Sequence, residues 1–233
     1  MKKLGVIGAM TVEVESLRDS MEHVAAVQKA GMTFYEGVLE GVPTVVVVCG
    51  VGKVNAAMCV QVLCDCFSVT HVINTGIAGS LSAKLDIGDL VVSSDAMYHD
   101  FDCHSLNPDY PVGQVPGLPV RRFAADKALQ ELAVQAAKQC DCNVCVGTVA
   151  SGDQFICQKA VKEEIIQNTG ALCTEMEGAA IAHTAWRNDV PFVIIRAISD
   201  KADDSAQMDY PTFEAIAARN CAAVTRMIAR NFK

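Results

Sequence analysis

The sequence lacks any concentration of lysines and arginines: 19 basic residues stand against 27 acidic ones, for a net charge of −8. Nucleic acids and anionic membrane surfaces are bound through basic patches, so neither is expected as a partner. No apolar run reaches the roughly 20 residues that a membrane-spanning helix needs. The apolar run in the first ten residues is too short for a secretory signal, which leads us to expect a soluble, cytoplasmic protein.

Hydrophobic residues are plentiful, at 51% of the chain against 20% charged residues. This balance allows a sizeable buried core and disfavours disorder. No linker, low-complexity stretch or internal repeat interrupts the sequence. A length of 233 residues suits one large domain, and we therefore predict a single domain over residues 1–233.

The eleven cysteines do not indicate a disulfide framework, because their number is odd and no export signal is present. Two clusters have some appearance of metal sites, namely Cys64 with Cys66, and Cys140 with Cys142 and Cys145. Structural zinc usually takes two well-separated pairs, which neither cluster supplies. We expect buried or half-buried thiols here, since a cysteine in an apolar segment behaves as a small hydrophobic residue.

A second group of potential ligands is formed by His99, Asp100, Asp102, Cys103 and His104. No second cluster completes a site around them, and the zinc-binding pattern HExxH is absent. A role in ordering the loop is therefore favoured over metal binding, and no metal is predicted.

Strand-like and helix-like segments alternate along the chain. Short apolar or β-branched runs predict strands at 3–8, 32–39, 44–49, 71–75, 89–94, 144–151, 171–176 and 192–199. Helical spacing predicts helices at 11–22, 53–67, 125–140, 159–167, 178–188 and 211–232. Crossover helices imply a mostly parallel sheet, to which the 31–49 hairpin adds antiparallel character. The prediction is an α/β fold around a mixed sheet, with a long loop at 99–122.

Familiar ligand motifs fail on inspection. The glycines of Gly50-Val51-Gly52 are followed by Lys53 and Val54, which does not fit a P-loop, and Asn55 replaces the third glycine of a dinucleotide fingerprint. Ser151-Gly152-Asp153 is not the Gly-x-Ser-x-Gly turn of a serine hydrolase. The helix predicted at 53–67 begins directly after Gly52, and its N-terminus can still contact a ligand.

Acidic residues at the ends of predicted strands are more informative. Glu13 follows the first strand, Glu175 and Glu177 lie two residues apart at the end of another, and Asp200 ends a strand that also carries Arg196. Ligands of open α/β sheets bind at the carboxyl ends of strands. Each acid alone is better explained as a helix cap or a solvated turn residue, but together they favour a binding site.

Six motifs occur in order: Gly8-Ala9-Met10 followed by Glu13, Gly50-Val51-Gly52-Lys53, Asn74-Thr75-Gly76-Ile77-Ala78-Gly79, Ser151-Gly152-Asp153-Gln154-Phe155-Ile156, Glu175-Met176-Glu177-Gly178 and Arg196-Ala197-Ile198-Ser199-Asp200. From residue 3 to the final helix the chain resembles the bacterial 5′-methylthioadenosine/S-adenosylhomocysteine nucleosidases of the nucleoside phosphorylase superfamily. The resemblance implies a three-layer α/β/α fold, a homodimer, and hydrolysis of an N-glycosidic bond that releases adenine and a thioribose without a cofactor.

The resemblance also implies roles for the acids. Asp200 matches the general acid that protonates adenine N7, which requires a pKa above the ~3.9 of a free aspartate. Glu177 matches the acid that accepts hydrogen bonds from the ribose hydroxyls. Glu13 matches the residue that activates the attacking water, with Glu175 and Arg196 as its supporting groups.

The remaining implied contacts line the substrate pocket. Phe155 would stack on adenine, the Ile156 backbone would read its edge, and Met10 and Met176 would contact the ribose. Further lining positions are Val51, Ala78, Gly79, Ser199 and Tyr210, and the partner subunit would contribute Leu106 and Pro116. Ile77 departs from the family pattern, because some members have a small hydroxyl residue there.

Three alternatives remain open. A phosphorylase of the same superfamily is disfavoured, because phosphate is held by arginines and the turn that precedes Glu13 has none. Hydrolysis of another adenine nucleoside, such as aminodeoxyfutalosine or 5′-deoxyadenosine, would use the same acids. A non-catalytic nucleoside-binding protein would be expected to lack Glu13, Glu177 or Asp200, and all three are present.

Overall fold

The computed structural model describes residues 2–139 and 143–232. Its strands are β1 (Leu4–Gly8), β2 (Glu22–Lys29), β3 (Met32–Leu39), β4 (Val42–Val48), β5 (His71–Ser80), β6 (Leu90–Tyr98), β7 (Phe123–Ala124), β8 (Val144–Ser151), β9 (Cys173–Glu175) and β10 (Phe192–Asp200). Its helices are α1 (Thr11–Asp19), α2 (Lys53–Phe67), α3 (Lys127–Ala137), α4 (Lys159–Thr169), α5 (Gly178–Arg187) and α6 (Ala206–Asn231). None of the helices in these ranges is long and apolar enough to cross a membrane.

One sheet connects all of these strands. Its path runs from β2 through β3, β4 and β1 to β5. Beyond β5 the sheet closes on itself, because β5 pairs with both β9 and β10, and β8 and β6 complete the circuit between them. We call β5, β6, β8, β9 and β10 the strand ring. It contains antiparallel pairs, β5 with β9 and β6 with β10, that the alternation of strands and helices did not indicate.

Helices cover both faces of the sheet. Along β10, Val193 and Ile195 face one hydrophobic core, which also contains residues of α1, α3 and α6. Ile194 and Ile198 face the opposite core, with residues of α2 and α5. This period of two is the pattern of a strand buried on both sides. The predicted three-layer α/β/α arrangement around a mixed sheet is confirmed.

Several elements differ from the prediction. The first helix ends at Asp19, and Glu22–Lys29 forms a strand that was not expected, because this mostly exposed segment lacks alternation of apolar and polar residues. It is a strand because it pairs with β3 across a turn at Ala30 and Gly31, both of which have positive φ. β5 continues beyond residue 75 to Ser80, through glycines that usually indicate a turn.

The final helix begins at Ala206, not at Pro211, which lies inside it. Proline is favoured in the first turn of a helix, and this preference misplaced the predicted start. The actual start is preceded by Ser205, whose hydroxyl donates a hydrogen bond to Asp209 over 2.6 Å. The residues that precede Pro211 are therefore already helical.

Candidate active site

A cleft of about 560 Å³, measured with its open mouth, lies at the carboxyl ends of β1, β5, β9 and β10. All fourteen residues that the sequence assigned to the chain's own catalytic, substrate and supporting positions line it. They are Met10, Glu13, Val51, Ala78, Gly79, Phe155, Ile156, Glu175, Met176, Glu177, Arg196, Ser199, Asp200 and Tyr210. The fold therefore brings together residues that are separated by up to two hundred positions in the chain.

Arg196 forms the buried centre of this site, with 1% of its surface exposed. Its Nη2 donates hydrogen bonds to Glu175 and to Asn74, and its Nη1 donates to the Ile77 carbonyl over 3.3 Å. Burial alone would lower the pKa of Arg196, but the surrounding carboxylates raise it above its usual range. The guanidinium is thus a fixed positive charge whose donors are largely used by the protein.

Glu175 is the main partner of this charge and is held from several directions. Its carboxylate accepts hydrogen bonds from the Ser151 hydroxyl and from the backbone N–H groups of Glu177 and Gly178. The Gly178 N–H opens α5, where a carboxylate is favoured by the helix dipole. A carboxylate with so many donors is rigid, which suits a positioning role.

Glu13 reaches the same charge from the other side. Its Oε2 accepts hydrogen bonds from the backbone N–H groups of Ala9, over 2.6 Å, and Met10, over 3.0 Å. Its Oε1 accepts from the Ile77 N–H over 3.1 Å and lies 3.9 Å from Nη1 of Arg196. Burial raises the pKa of Glu13, while the charge of Arg196 and the three backbone amides oppose that rise. The carboxylate is fixed in orientation but poised to take a proton more readily than a free glutamate.

Glu177 is the third carboxylate around Arg196, with 3.7 Å between its Oε2 and Nη2. Its Oε1 accepts a hydrogen bond from the Gly52 N–H over 2.8 Å. Burial raises the pKa of Glu177 to about 7, and the nearby charge of Glu175 adds to the rise. The turn before α2, which matched no nucleotide-binding motif, thus orients an acid of the site.

Asp200 lies apart from these three acids, at the end of β10, with 2% of its surface exposed. Its Oδ2 accepts a hydrogen bond from the Ser199 hydroxyl and its Oδ1 from the Ala202 N–H, both over 2.8 Å. Burial raises the pKa of Asp200, while these two hydrogen bonds oppose the rise. A carboxyl group with a raised pKa is suited to donate a proton.

Aromatic and sulfur-containing side chains form the apolar wall of the cleft. Phe155 is 48% exposed and meets Tyr210 edge to face, with 5.5 Å between the ring centroids. The Tyr210 hydroxyl lies 3.4 Å from the sulfur of Met10 and donates a hydrogen bond to Glu214 over 3.2 Å. The Ile156 side chain is buried in a small separate core with Ala150. This wall offers a flat, partly open surface to an aromatic ligand.

Several site residues were missed by the sequence analysis. Asn74 and Ser151 hydrogen-bond the buried ion pair, while Gln154 and Thr174 line the cleft directly. Asn74, Ser151 and Gln154 belong to the motifs that carried the resemblance, so their presence in those motifs was the available signal. Thr174 lay outside every motif, and only its position next to Glu175 pointed to it.

Two of the residues considered as metal ligands have other partners. Asp100 pairs with Lys53 over 2.6 Å and accepts the Asp153 N–H, so it joins the loop to the start of α2. Asp102 accepts the N–H of His104 within the loop. Across residues 2–139 and 143–232 no three His, Cys, Asp or Glu side chains are grouped to hold a metal ion.

The expectation of buried or half-buried thiols is confirmed for most of the described cysteines but is wrong for Cys66, which is exposed on the surface of α2. Cys64 is half-buried and Cys66 exposed on α2, and Cys145 is half-buried on β8. Cys140 and Cys142 lie outside the described residues. Four other cysteines are buried thiols, and they are Cys49, Cys59, Cys173 and Cys221.

Leu106 and Pro116, assigned to the pocket of a partner subunit, are not among the described residues that line the cleft of their own chain. Leu106, in the 99–122 loop, is 76% exposed. Another apolar side chain of the loop, Leu118, is buried in the chain's own core. The loop is held to its own chain by the side chain of Arg121, which donates to the carbonyls of Val112 and Asn168.

Comparisons with known proteins agree with this geometry. The family model of the phosphorylase superfamily matches residues 3–230. The 5′-methylthioadenosine/S-adenosylhomocysteine nucleosidase of Geobacillus thermodenitrificans is 43% identical over 222 residues, which cover 94% of this chain and 93% of that protein. The crystal structure of the Neisseria meningitidis nucleosidase of the same description, in complex with methylthio-immucillin-A, is similar with a TM-score of 0.95 and 40% identity over the whole of both chains.

A second group of solved structures is more distant in sequence. The native futalosine hydrolase of Helicobacter pylori is 29% identical, with a TM-score of 0.94 over 99% of this chain and 98% of that one. Its fold is thus nearly as similar as that of the Neisseria nucleosidase, while the identity is lower. The chain belongs to the phosphorylase superfamily and, within it, to the 5′-methylthioadenosine/S-adenosylhomocysteine nucleosidases.

Proposed function

We propose that this enzyme hydrolyses the N-glycosidic bond of 5′-methylthioadenosine and S-adenosylhomocysteine, releasing adenine and the corresponding thioribose. The observation that carries the proposal is that one cleft holds two separate sets of acidic side chains. Three carboxylates surround a buried arginine at one side, and a separate aspartate with a raised pKa lies at the end of β10. Such a cleft can receive the positive charge of a sugar and donate a proton to a leaving base.

Asp200 acts as the general acid. Breaking the glycosidic bond moves electrons onto the departing adenine, and protonation at N7 turns the base into a neutral leaving group. The raised pKa of Asp200 supports this role, because the carboxyl group retains its proton at a higher pH than a free aspartate would. The hydrogen bond from Ser199 holds the carboxyl group in one orientation.

The ribose binds beside Glu177 and the two methionines. The Glu177 carboxylate accepts hydrogen bonds from the two vicinal hydroxyls of the ribose. The Gly52 N–H holds the carboxylate in position for that contact. The transition state of glycoside cleavage resembles an oxocarbenium ion, which the acidic side of the cleft stabilises. The polarisable sulfurs of Met10 and Met176 suit a cationic sugar.

Water, rather than phosphate, is the nucleophile. Glu13 orients and deprotonates the water, and Glu175 and Arg196 hold Glu13 and its surroundings in place. Arg196 is already bonded to Glu175, Asn74 and the Ile77 carbonyl, which leaves it poorly placed to bind a phosphate dianion. The surrounding carboxylates would also repel such a dianion.

The 5′-substituent is enclosed by a second copy of the chain in a homodimer. Support comes from exposed apolar residues on α2 and on the 99–122 loop. Val54 and Met58, one turn apart on the outer face of α2, are 70% and 40% exposed, and Leu106 is exposed on the 99–122 loop. An exposed apolar surface of this kind is typical of an interface. Leu106 and Pro116 of the partner subunit would close the pocket.

Hydrolysis of aminodeoxyfutalosine, or a related adenine nucleoside, is the second candidate. The likeness to the futalosine hydrolase favours it, since that fold is similar over the whole chain. The same acids would serve, because the base and ribose ends of the substrates are shared. The two thionucleosides are preferred because relatives with higher identity, at 43% and 40%, are described as nucleosidases for these two compounds.

A cytoplasmic location and a role in methionine salvage complete the proposal. Both thionucleosides are by-products of S-adenosylmethionine use, and removing adenine from them is a first step in recovering their sulfur. Buried thiols such as Cys59 and Cys173 suit a reducing compartment.

The decisive experiment measures adenine release from 5′-methylthioadenosine with and without phosphate, and in the presence of a chelator. We expect equal rates in all three conditions and a free thioribose as the second product. A ribose 1-phosphate product, or loss of activity in the chelator, would contradict the proposal. Parallel assays with aminodeoxyfutalosine decide between the two candidates, since the better substrate has the higher kcat/KM.

A further inference from the structure

The Gly52 N–H group connects the start of α2 to the acid that would bind the ribose. It is the only hydrogen-bond donor that the described part of the chain supplies to the Glu177 carboxylate, over 2.8 Å. Nη2 of Arg196 attracts this carboxylate by its charge, but at 3.7 Å it is too far away for a hydrogen bond. The orientation of Glu177 therefore depends on where the Gly52 peptide lies.

The turn around Gly52 does not fix its own conformation. Gly50 and Gly52 have φ angles of +86° and +98°, in the region that favours glycine. Asn55 donates a hydrogen bond to the Val51 carbonyl, but this contact lies within the turn and α2. Because glycine can adopt many other conformations, contacts from elsewhere in the fold must select this one.

Asp153, two residues after the end of β8, supplies such a contact. Its Oδ1 accepts a hydrogen bond over 2.8 Å from the N–H of Lys53, the residue that follows Gly52. Its own N–H donates to Oδ2 of Asp100 over 2.9 Å. A carboxylate is also favoured at this place by the dipole of α2. Asp153 is thus held through its backbone, while its side chain holds the first residue of α2.

The side chain of Lys53 strengthens the connection. Its Nζ lies 2.6 Å from Oδ2 of Asp100 and 3.6 Å from Oδ2 of Asp153. The side chains of Lys53 and Asp100 are only 22% and 16% exposed, so their attraction is screened less than that of a surface pair. These three residues join the ends of β6 and β8 to the start of α2.

We propose that Asp153 is a positioning residue for ribose recognition, which holds the Gly52 N–H where it orients Glu177; this rests on the proposed function. Asp153 is not among the described residues that line the cleft, so it acts through the turn and not by touching the ribose. Without its carboxylate, the Lys53 N–H would lose its acceptor and Gly52 would adopt other conformations. The Glu177 carboxylate would then lose its defined orientation toward the ribose hydroxyls.

Two variants and two substrates test this role. Asp153→Ala removes the acceptor, whereas Asp153→Asn keeps a side-chain oxygen for the Lys53 N–H. The substrates are 5′-methylthioadenosine and its 2′,3′-dideoxy analogue, which lacks both hydroxyls that Glu177 would bind. We expect Asp153→Ala to lower kcat/KM about tenfold for 5′-methylthioadenosine, the effect of one weakened hydrogen bond to a charged group, and less than about twofold for the analogue. Asp153→Asn should stay close to wild type with both.

Asp126→Ala is the matched control. Asp126 also accepts an N–H group at the start of a helix, that of Leu129 in α3, over 2.9 Å. Its own N–H donates to the carbonyl of Phe192, at the end of β10 opposite to Asp200. Loss of either acid should lower the melting temperature by a similar amount, because each removes a carboxylate from a helix N-terminus. Only Asp153→Ala should change the ratio of kcat/KM between the two substrates.

Wild-type kinetics of Asp153→Ala with 5′-methylthioadenosine, or an equal loss with both substrates, would overturn the proposal. An equal loss is expected if Asp153 only supports the fold or the neighbouring Phe155. Exchange of the Gly52 amide hydrogen, measured by NMR without substrate, examines the contact directly. It should be faster in Asp153→Ala than in wild type or Asp126→Ala, and an unchanged rate would also overturn the proposal.

The amide measurement separates this proposal from the proposed function. A wild-type enzyme that fails to hydrolyse the thionucleoside refutes the proposed function, while the exchange rate of the Gly52 amide still shows whether Asp153 holds the turn. An active enzyme whose Asp153→Ala variant loses the same factor with both substrates refutes the positioning role and leaves the proposed function intact.

Discussion

Gly76 lies so close to Glu13 that a Cβ atom at this position would overlap both Oε1 of Glu13 and Nη1 of Arg196. The φ angle of Gly76 is not in the left-handed region, so the backbone does not require glycine there. The requirement is one of space. The absence of a side chain on β5 lets the carboxylate of α1 approach the guanidinium of β10.

Replacing this glycine should separate the charged groups. We expect Gly76→Ala to lower kcat by about a hundredfold or more, because displacement of a catalytic group by 1 Å has effects of that size. Steady-state adenine release measures the loss. Gly41→Ala is the control. The φ angle of +82° at this position strains an alanine, but no atom lies within 4 Å of the added Cβ, and the position is distant from the active site. It should lose stability but not activity, and near-wild-type turnover in Gly76→Ala would refute the spatial argument.

The role of Asp200 is tested by an isosteric change. Asp200→Asn cannot deliver the proton that N7 requires, and general acid catalysis contributes about 10²- to 10⁴-fold. We expect a loss of kcat in that range with an unchanged thermal unfolding curve. Asp204→Asn, which changes an exposed aspartate four residues further along the chain, should behave as wild type. If Asp200→Asn retains at least half of the wild-type rate, another group is the acid.

Glu177 should make the folded protein sensitive to pH. Its pKa is raised from 4.5 to about 7 on folding, so between these values the folded protein binds a proton that the unfolded chain has released. The stability that this group contributes is therefore present below pH 4.5 and is lost as the pH rises through about 7. Glu177→Gln, which does not titrate, should gain in melting temperature relative to wild type as the pH is raised.

Unfolding curves at about pH 5 and about pH 8 make this comparison. Glu163→Gln is a suitable control, because its carboxylate is exposed on α4 and pairs only loosely with Lys159 over 3.9 Å. A constant difference in melting temperature between wild type and Glu177→Gln would show that the pKa of Glu177 is not raised.

Leu106 tests the dimer and the pocket together. Leu106→Asp should weaken self-association and the binding of 5′-methylthioadenosine, because a charge would be buried at the interface. Adenine alone, which does not reach the 5′ end, should bind almost normally. Light scattering and substrate titration are the measurements, with Ile216→Asp as the control at an equally apolar site that is 48% exposed on α6. A monomeric wild type, or a Leu106→Asp variant that stays dimeric with an unchanged KM, would contradict the arrangement.

The ordering of strands and helices was predictable because most elements carry their own pattern. Lys53–Phe67 and Val144–Ser151 match the predicted bounds, since apolar spacing and turn residues mark both ends. β2 was not predictable, because its exposed residues are held by pairing with β3 rather than by burial. The extension of β5 to Ser80 was also not predictable. Its glycines suggested a turn, but in the structure they lie inside the strand, where the absence of a side chain makes room for neighbouring side chains.

In the site, the charged residues were easier to predict than the polar ones. Glu13 follows a strand and Asp200 ends one, and an acid is conspicuous in both positions. Thr174 and Asn74 lie within strands, where a single polar residue has no periodic signal. Their positions in the site depend on the closure of the strand ring, which is a property of the whole sheet and not of any local segment.

The strand ring also restricts how the length of this chain can vary. In an open sheet, one residue can be inserted into an edge strand without altering the others. In the ring, β5, β9 and β10 have neighbours on both sides, and an inserted residue would shift the register of each pairing in turn. Insertions and deletions among relatives should therefore collect in the 99–122 loop and the β2–β3 hairpin. The acids would keep their spacing, while the 99–122 loop, which we propose to close over the 5′ end of the substrate, would be free to diverge.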